Sequence, residues 1–275
     1  MTEHIINLNE SRVVIDTYGA YVRSLQLSGS DILMESEDGN QTHGGCATLI
    51  PFANRVRGAS YFWLGKRYCL PRNDGNNSIH GFTKDMNWDI SAGDTKVVLN
   101  TVIDRKDYPS KLKCQSMIEL KEHSLIIRFI ISNVGDIDAP LSIGLHPYFL
   151  HGGSWKVRQP SKVKKLNYID TYFPDGTMTE INSEYLSSGN QREFDNCFLV
   201  GPSLSLETAH HIIDIQTENM NYFVIYNGKY SSGKSVAVEP MTSAPDAFNN
   251  GIGLITLKSN SKFTCSSTFY YRRKD

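Results

Sequence analysis

Along the chain, apolar positions recur every second residue rather than every 3.6. Within residues 124–131, Leu125, Ile127, Phe129 and Ile131 share one parity, and Arg128 stands between Ile126 and Ile130 on the other. That alternation predicts a strand fully buried on one face and partly buried on the other. Residues 97–103, 222–226, 236–238 and 263–271 are short β-branched or aromatic segments and read as further strands. Between them fall Asp38-Gly39, Asp74-Gly75, Asp175-Gly176, Asn227-Gly228 and Asn250-Gly251. Such pairs suit turns that need positive φ, the chemistry of hairpins. No long segment carries a capped i, i+3, i+4, i+7 stripe. The pattern predicts an all-β, mostly antiparallel protein, a sandwich or a barrel.

The chain shows no internal repeat, low-complexity tract or Pro/Ser-rich linker, so one continuous domain over residues 1–275 is the simplest organisation. Residues 156–221 are less regular and are expected to hold long loops, where binding residues of all-β scaffolds usually sit. At 275 residues such a fold buries roughly three quarters of the surface of its unfolded chain, so it needs no disulfide or metal staple. Lys plus Arg number 28 and Asp plus Glu 29, for a formal charge of −1. Nothing in that balance attracts nucleic acid or anionic lipid, which leaves a small molecule or another protein as partner. No window approaches 18 uninterrupted apolar residues, so no membrane span is expected. The first ten residues lack the basic start and apolar run of a secretion signal. Five cysteines, Cys46, Cys69, Cys114, Cys197 and Cys265, include no closely spaced pair. They read as buried, reduced thiols of a cytoplasmic protein.

Four stretches could carry chemistry. Asn54-Arg55-Val56-Arg57-Gly58 leads to a Gly/Asn-rich run ending in Ile79-His80-Gly81-Phe82. This is either a polar pocket wall or a surface hairpin with an incidental histidine. In Leu145-His146-Pro147-Tyr148-Phe149, His146 sits among apolar residues before a proline that biases it towards extended backbone. Such an imidazole is a natural general acid, or equally a hydrogen-bonded core histidine. Glu239 ends the apolar run Val236-Ala237-Val238. It is either a general base made stronger by partial desolvation or a strand-end glutamate facing water. Asp195, between Phe194 and the run 197–200, could accept two sugar hydroxyls or simply start a strand. The histidines His80, His146, His151, His210 and His211 have no recognised metal-ligand spacing. There is no Gly-x-Ser-x-Gly elbow and no phosphate-binding glycine loop. Arg55, Arg57, Lys66, Arg67 and Arg72 cluster in sequence, as a solvated hairpin face or an anion site.

Taken in order, these pieces resemble the aldose 1-epimerase (galactose mutarotase) family. The resemblance rests on Asn54-Arg55, Ile79-His80-Gly81, His146-Pro147-Tyr148-Phe149, Asp195 before Phe198, and Glu239-Pro240 with Asp246-Ala247-Phe248-Asn249. It spans residues 50–270. It implies one large antiparallel β-sandwich, the galactose mutarotase-like supersandwich, and interconversion of the α and β anomers of a free hexose. No metal or organic cofactor is implied. By the same carry-over, Glu239 takes the proton of the C1 hydroxyl and His146 protonates the ring oxygen. His80 hydrogen-bonds near that oxygen, and Arg55 and Asp195 hold sugar hydroxyls. Trp63, Trp88 and Phe248 are candidates to cover the apolar face of the sugar. Phe82 and Lys84 after His80-Gly81, and Met241-Thr242 after Glu239-Pro240, look more like a bacterial branch some of whose members handle anionic sugars. The alternatives are therefore a mutarotase for a phosphorylated or sulfonated hexose, or a carbohydrate-binding sandwich without catalysis.

Overall fold

The structure is a computed structural model and describes residues 2–159, 162–182, 184, 186–190 and 193–274. The period-two segments become two antiparallel sheets. Among the described residues the larger has eleven strands. Its path runs Glu3–Leu8, Ser11–Asp16, Tyr21–Leu27, Cys46–Leu49, Gly144–Leu150, Ser235–Met241, Tyr222–Tyr226, Asp195–Leu199, Val163–Tyr168, Pro174–Ile181. Ser30–Asp31 pairs with Tyr21–Leu27 beside this path. The smaller sheet has eight strands, with Ser124–Asn133 and Lys262–Arg273 paired at its centre.

The alternation seen in the sequence divides the faces. In Gly144–Leu150, Leu145 and Phe149 enter the core between the sheets, and in Ser235–Met241 so do Val236 and Val238. Phe149 of the larger sheet meets Phe269 of the smaller edge to face, centroids 5.2 Å apart. The intervening residues of the same strands, His146 and Tyr148, Ala237 and Glu239, therefore point to the other face of the larger sheet.

Four expectations need correction. Among the described residues, more than half of 156–221 lie in strands, and the longest stretch without one runs from 182 to 194. One of these, Pro174–Ile181, lies at a sheet edge with most of its side chains exposed, so it has no buried face to impose an apolar alternation. Asp175-Gly176 lies inside that strand, where Asp175 caps Thr177, and is not a hairpin turn. Asn250-Gly251 closes the one-turn helix Ala247–Asn250, with Gly251 left-handed at φ 74°. The five cysteines are all free, but Cys69 is exposed while the other four are buried. Among the described residues no helix is long and apolar enough to cross a membrane.

Candidate functional site

The outer face of the larger sheet is built from two rows of side chains across neighbouring strands. In the pairing of Gly144–Leu150 with Ser235–Met241, Gly144 faces Met241 and Tyr148 faces Ala237. The same register sets His146 opposite Glu239, and His146 also faces Ala47. Beyond Glu239 the row continues through Val224 to Cys197. The next row runs Tyr148, Ala237, Tyr226, Asp195. Small residues at Ala47 and Ala237 leave a hollow between the larger ones. Two residues 93 positions apart in sequence are thus cross-strand neighbours, and His146 Nε2 lies 3.4 Å from Glu239 Oε1.

A second wall comes from the Gly/Asn-rich loop. Arg55–Val56 pairs with Ser78–Ile79, so Arg55 faces Ile79 and His80 follows at once. Asn54 and His80 both adopt left-handed backbone, φ 59° and 66°, and the His80 amide donates to the Asn54 carbonyl at 3.0 Å. The Asn54 side chain accepts from the Arg55 amide at 2.8 Å, a local bond that eases this conformation for asparagine. Gly81 is also left-handed, and a Cβ there would lie 2.2 Å from the Ile50 carbonyl oxygen. The chain turns tightly against residue 50, and this swings the His80 ring to within 5.3 Å of His146, edge to face.

Arg55 is held on three sides. Its Nε donates to Asp74 at 2.7 Å, its guanidinium lies 3.8 Å over the Tyr172 ring, and Nη1 is 4.0 Å from Asp195. The resulting cleft has a volume of about 550 Å³, and Glu239, His146, His80, Arg55 and Asp195 all line it.

Burial governs the charges. Glu239, 2% exposed, has its carboxyl pushed well above the ordinary range by desolvation and then by Asp195, against the pull of Arg55. Desolvation presses the His146 imidazole down to about 3. His80 is also lowered, by burial and then by His146 and Arg55. Asp195 is raised by desolvation, partly opposed by Arg55. Glu239 Oε2, His146 Nδ1 and His80 Nδ1 are buried without a hydrogen-bond partner. Leaving a buried polar atom unpaired costs about 1–3 kcal/mol, and all three of these residues line the same cleft.

Several neighbours went unnoticed in the sequence. Asp74, Tyr172, Tyr226, Tyr230 and His43 line the cleft. His43 lies in a polar loop with no local signal, whereas Asp74 belongs to the Gly/Asn-rich run read as a possible pocket wall. Tyr226 shares its row with Asp195, which strand parity could have suggested once the pairing was known. The aromatic candidates Trp63, Trp88 and Phe248 are not among the lining residues. Trp63 donates to the Asp138 carbonyl, Trp88 to that of Thr83, and Phe248 packs on Phe52 and Tyr61. Of the basic cluster only Arg55 reaches the cleft. Arg57 instead pairs with Asp170, and Lys66 lies over Tyr68. Asp246 accepts from the Arg57 amide and from Asn249, a structural tie. Among the described residues no group of three or more His, Cys, Asp or Glu is disposed to hold a metal ion.

A double-sheet β-fold with this cleft on its larger sheet defines a galactose mutarotase-like protein. The galactose mutarotase-like protein of Clostridium acetobutylicum superposes with a TM-score of 0.86 at 19% identity, over 99% of this chain and 98% of that one. The galactose 1-epimerase of Lactobacillus acidophilus NCFM does so with a TM-score of 0.79 at 20% identity, over 99% and 95%. Residues 4–270 match the sequence profile of the family described as aldose 1-epimerase, and the chain belongs to that family. The uncharacterized protein YihR of Escherichia coli K12 is 26% identical over 281 aligned positions, covering 94% of this chain and 90% of YihR.

Proposed function

We propose that the protein is a mutarotase that interconverts the anomers of a free hexose by general acid–base ring opening and closure. The observation that carries this reading is the buried His146–Glu239 pair, 3.4 Å apart in a polar cleft. The C1 hydroxyl oxygen and the ring oxygen of a pyranose are bonded to the same carbon. Two groups this close can each come within hydrogen-bond reach, about 2.6–3.2 Å, of one of them. Glu239 takes the hydroxyl proton and His146 delivers one to the ring oxygen. The ring opens, the C1–C2 bond rotates, and reclosure with the roles reversed gives the other anomer.

Burial favours the neutral arrangement of the pair, carboxylic acid beside imidazole. The reactive arrangement, carboxylate beside imidazolium, contains the same number of protons. Reaching it takes a proton shift across the pair, with no uptake from solvent. His80 supports the developing charge near the ring oxygen, and Arg55 and Asp195 hold hydroxyls on the far side of the ring.

Polarimetry with freshly dissolved α-D-glucose and α-D-galactose tests the reading. Wild type accelerates equilibration, and Glu239→Gln and His146→Asn each lose about 10²–10⁴-fold, the range for a positioned proton transfer. A wild type that stays at the buffer rate while still binding sugar would leave a carbohydrate-binding sandwich as the better account. An anionic hexose is a second reading, favoured by Lys84, which lines the cleft and is 15% exposed. Lys84 is already paired with Asp85 at 2.5 Å, and Arg57, Lys66, Arg67 and Arg72 lie outside the cleft, so the neutral hexose is expected to turn over faster.

A further inference from the structure

A catalytic imidazole is commonly oriented by a hydrogen bond from its second nitrogen. His146 Nδ1 is buried and makes no hydrogen bond of good geometry to another residue; the polar group bearing on the ring is its own backbone. Something else must set the plane of the ring. Tyr148, two residues on along the same strand and so on the same face, stacks on it, with ring centroids 4.8 Å apart and planes 12° from parallel. Tyr148 is itself closely held. It is 1% exposed, its hydroxyl donates to the Thr42 carbonyl at 2.8 Å, and Tyr226 meets it edge to face at 6.3 Å. The edge of His80 closes on the imidazole from another direction.

We infer that Tyr148 is the positioning residue of His146, a fixed plate that sets the imidazole plane by stacking and leaves both ring nitrogens free. Proton delivery from an imidazole runs in the ring plane, so fixing that plane aims the proton. An orienting hydrogen bond would occupy a nitrogen, whereas a stack occupies none. The electron-rich phenol face also steadies the imidazolium formed when the proton crosses from Glu239. This inference rests on the proposed role of His146 and goes beyond it, since Tyr148 acts through the imidazole and does not exchange a proton.

The test is a double-mutant cycle read by polarimetry, with thermal melts to check folding. Tyr148→Leu is expected to lower kcat by about 10–100-fold with KM within about threefold, because aim is lost while Arg55 and Asp195 still hold the sugar, although Tyr148 itself also lines the cleft. Tyr148→Phe keeps the ring and should recover kcat to within about fivefold of wild type. In a His146→Asn background, Tyr148→Leu should have no further effect. An equal loss in both backgrounds, or a loss confined to KM, would overturn the inference. If His146→Asn alone leaves the rate untouched, the acid role fails. The ¹⁵N resonances of the His146 ring then test the stack alone. A Tyr148→Leu spectrum identical to wild type would refute it, and a shifted, broadened one would support it.

Discussion

At the residue scale the proposed reaction turns on one proton shared between His146 and Glu239, whose nearest polar atoms are 3.4 Å apart. The imidazole is pressed to about 3 and the carboxyl is raised well above its usual value, both by burial. The two directions act at opposite ends of the pH scale. The pair gains a second proton only when His146 is protonated, so the acid limb of kcat/KM lies far below the ordinary imidazole value of 6.5. It loses its shared proton only above the raised Glu239 value, so the alkaline limb moves up. The expected profile is flat through the ordinary imidazole range around pH 6.5, the limbs reporting the free protein's acid and base. A limb centred on an unperturbed imidazole, near pH 6.5, would mean that an exposed histidine carries the reaction instead. On the proposed reading Asp195, about a third exposed and facing Arg55, holds substrate and stays outside this proton count.

At the element scale the cleft depends on one tight turn. His80 reaches His146 because Asn54, His80 and Gly81 all take left-handed backbone and Gly81 passes close to the Ile50 carbonyl. Gly81→Ala would force a side chain into positive φ, worth about 1–2 kcal/mol, and add a collision with backbone that cannot yield cheaply. The turn should relax outwards and carry His80 away from the cleft. A lower melting temperature and at least a tenfold loss in kcat/KM are the expected outcomes. An Ala variant that keeps wild-type rates would show that His80 is not placed by this turn. Gly58, also left-handed at φ 63° but with nothing within 4 Å of an added Cβ, carries the backbone strain without the collision and is the control position.

At the scale of the whole molecule the smaller sheet supports the larger. Phe269 stands in the central strand Lys262–Arg273 and meets Phe149 across the core, one residue beyond Tyr148 on the strand that carries His146. Phe269→Ala removes a fully buried ring and should cost about 3–5 kcal/mol. For a chain of this size the melting temperature then falls by about 2–4 °C per kcal/mol. Because the loss lies on the core face, kcat per folded molecule should stay within about threefold of wild type below the melt. A large fall in kcat without a fall in stability would mean that the core face positions His146 as closely as Tyr148 does.

Much of this was legible in the chain. The period of two in residues 124–131 is a local property, because alternate side chains of any strand point to opposite faces, and the sheet it predicted is present. The edge strand Pro174–Ile181 was invisible for the same reason: with neither face well buried, nothing selects apolar residues at alternate positions. The sequence also held the chemical types, an acid, an imidazole, an arginine and a polar loop, without saying which of them meet. Convergence of His146 with Glu239, the stack of Tyr148, the approach of His80 and the clamp of Asp74 and Tyr172 on Arg55 depend on register between strands far apart in the chain. A shift of one residue in that pairing would turn His146 into the core and Phe149 out of it. Local pattern decides which face a side chain takes along its own strand. Only the packed sheets decide which side chains share that face.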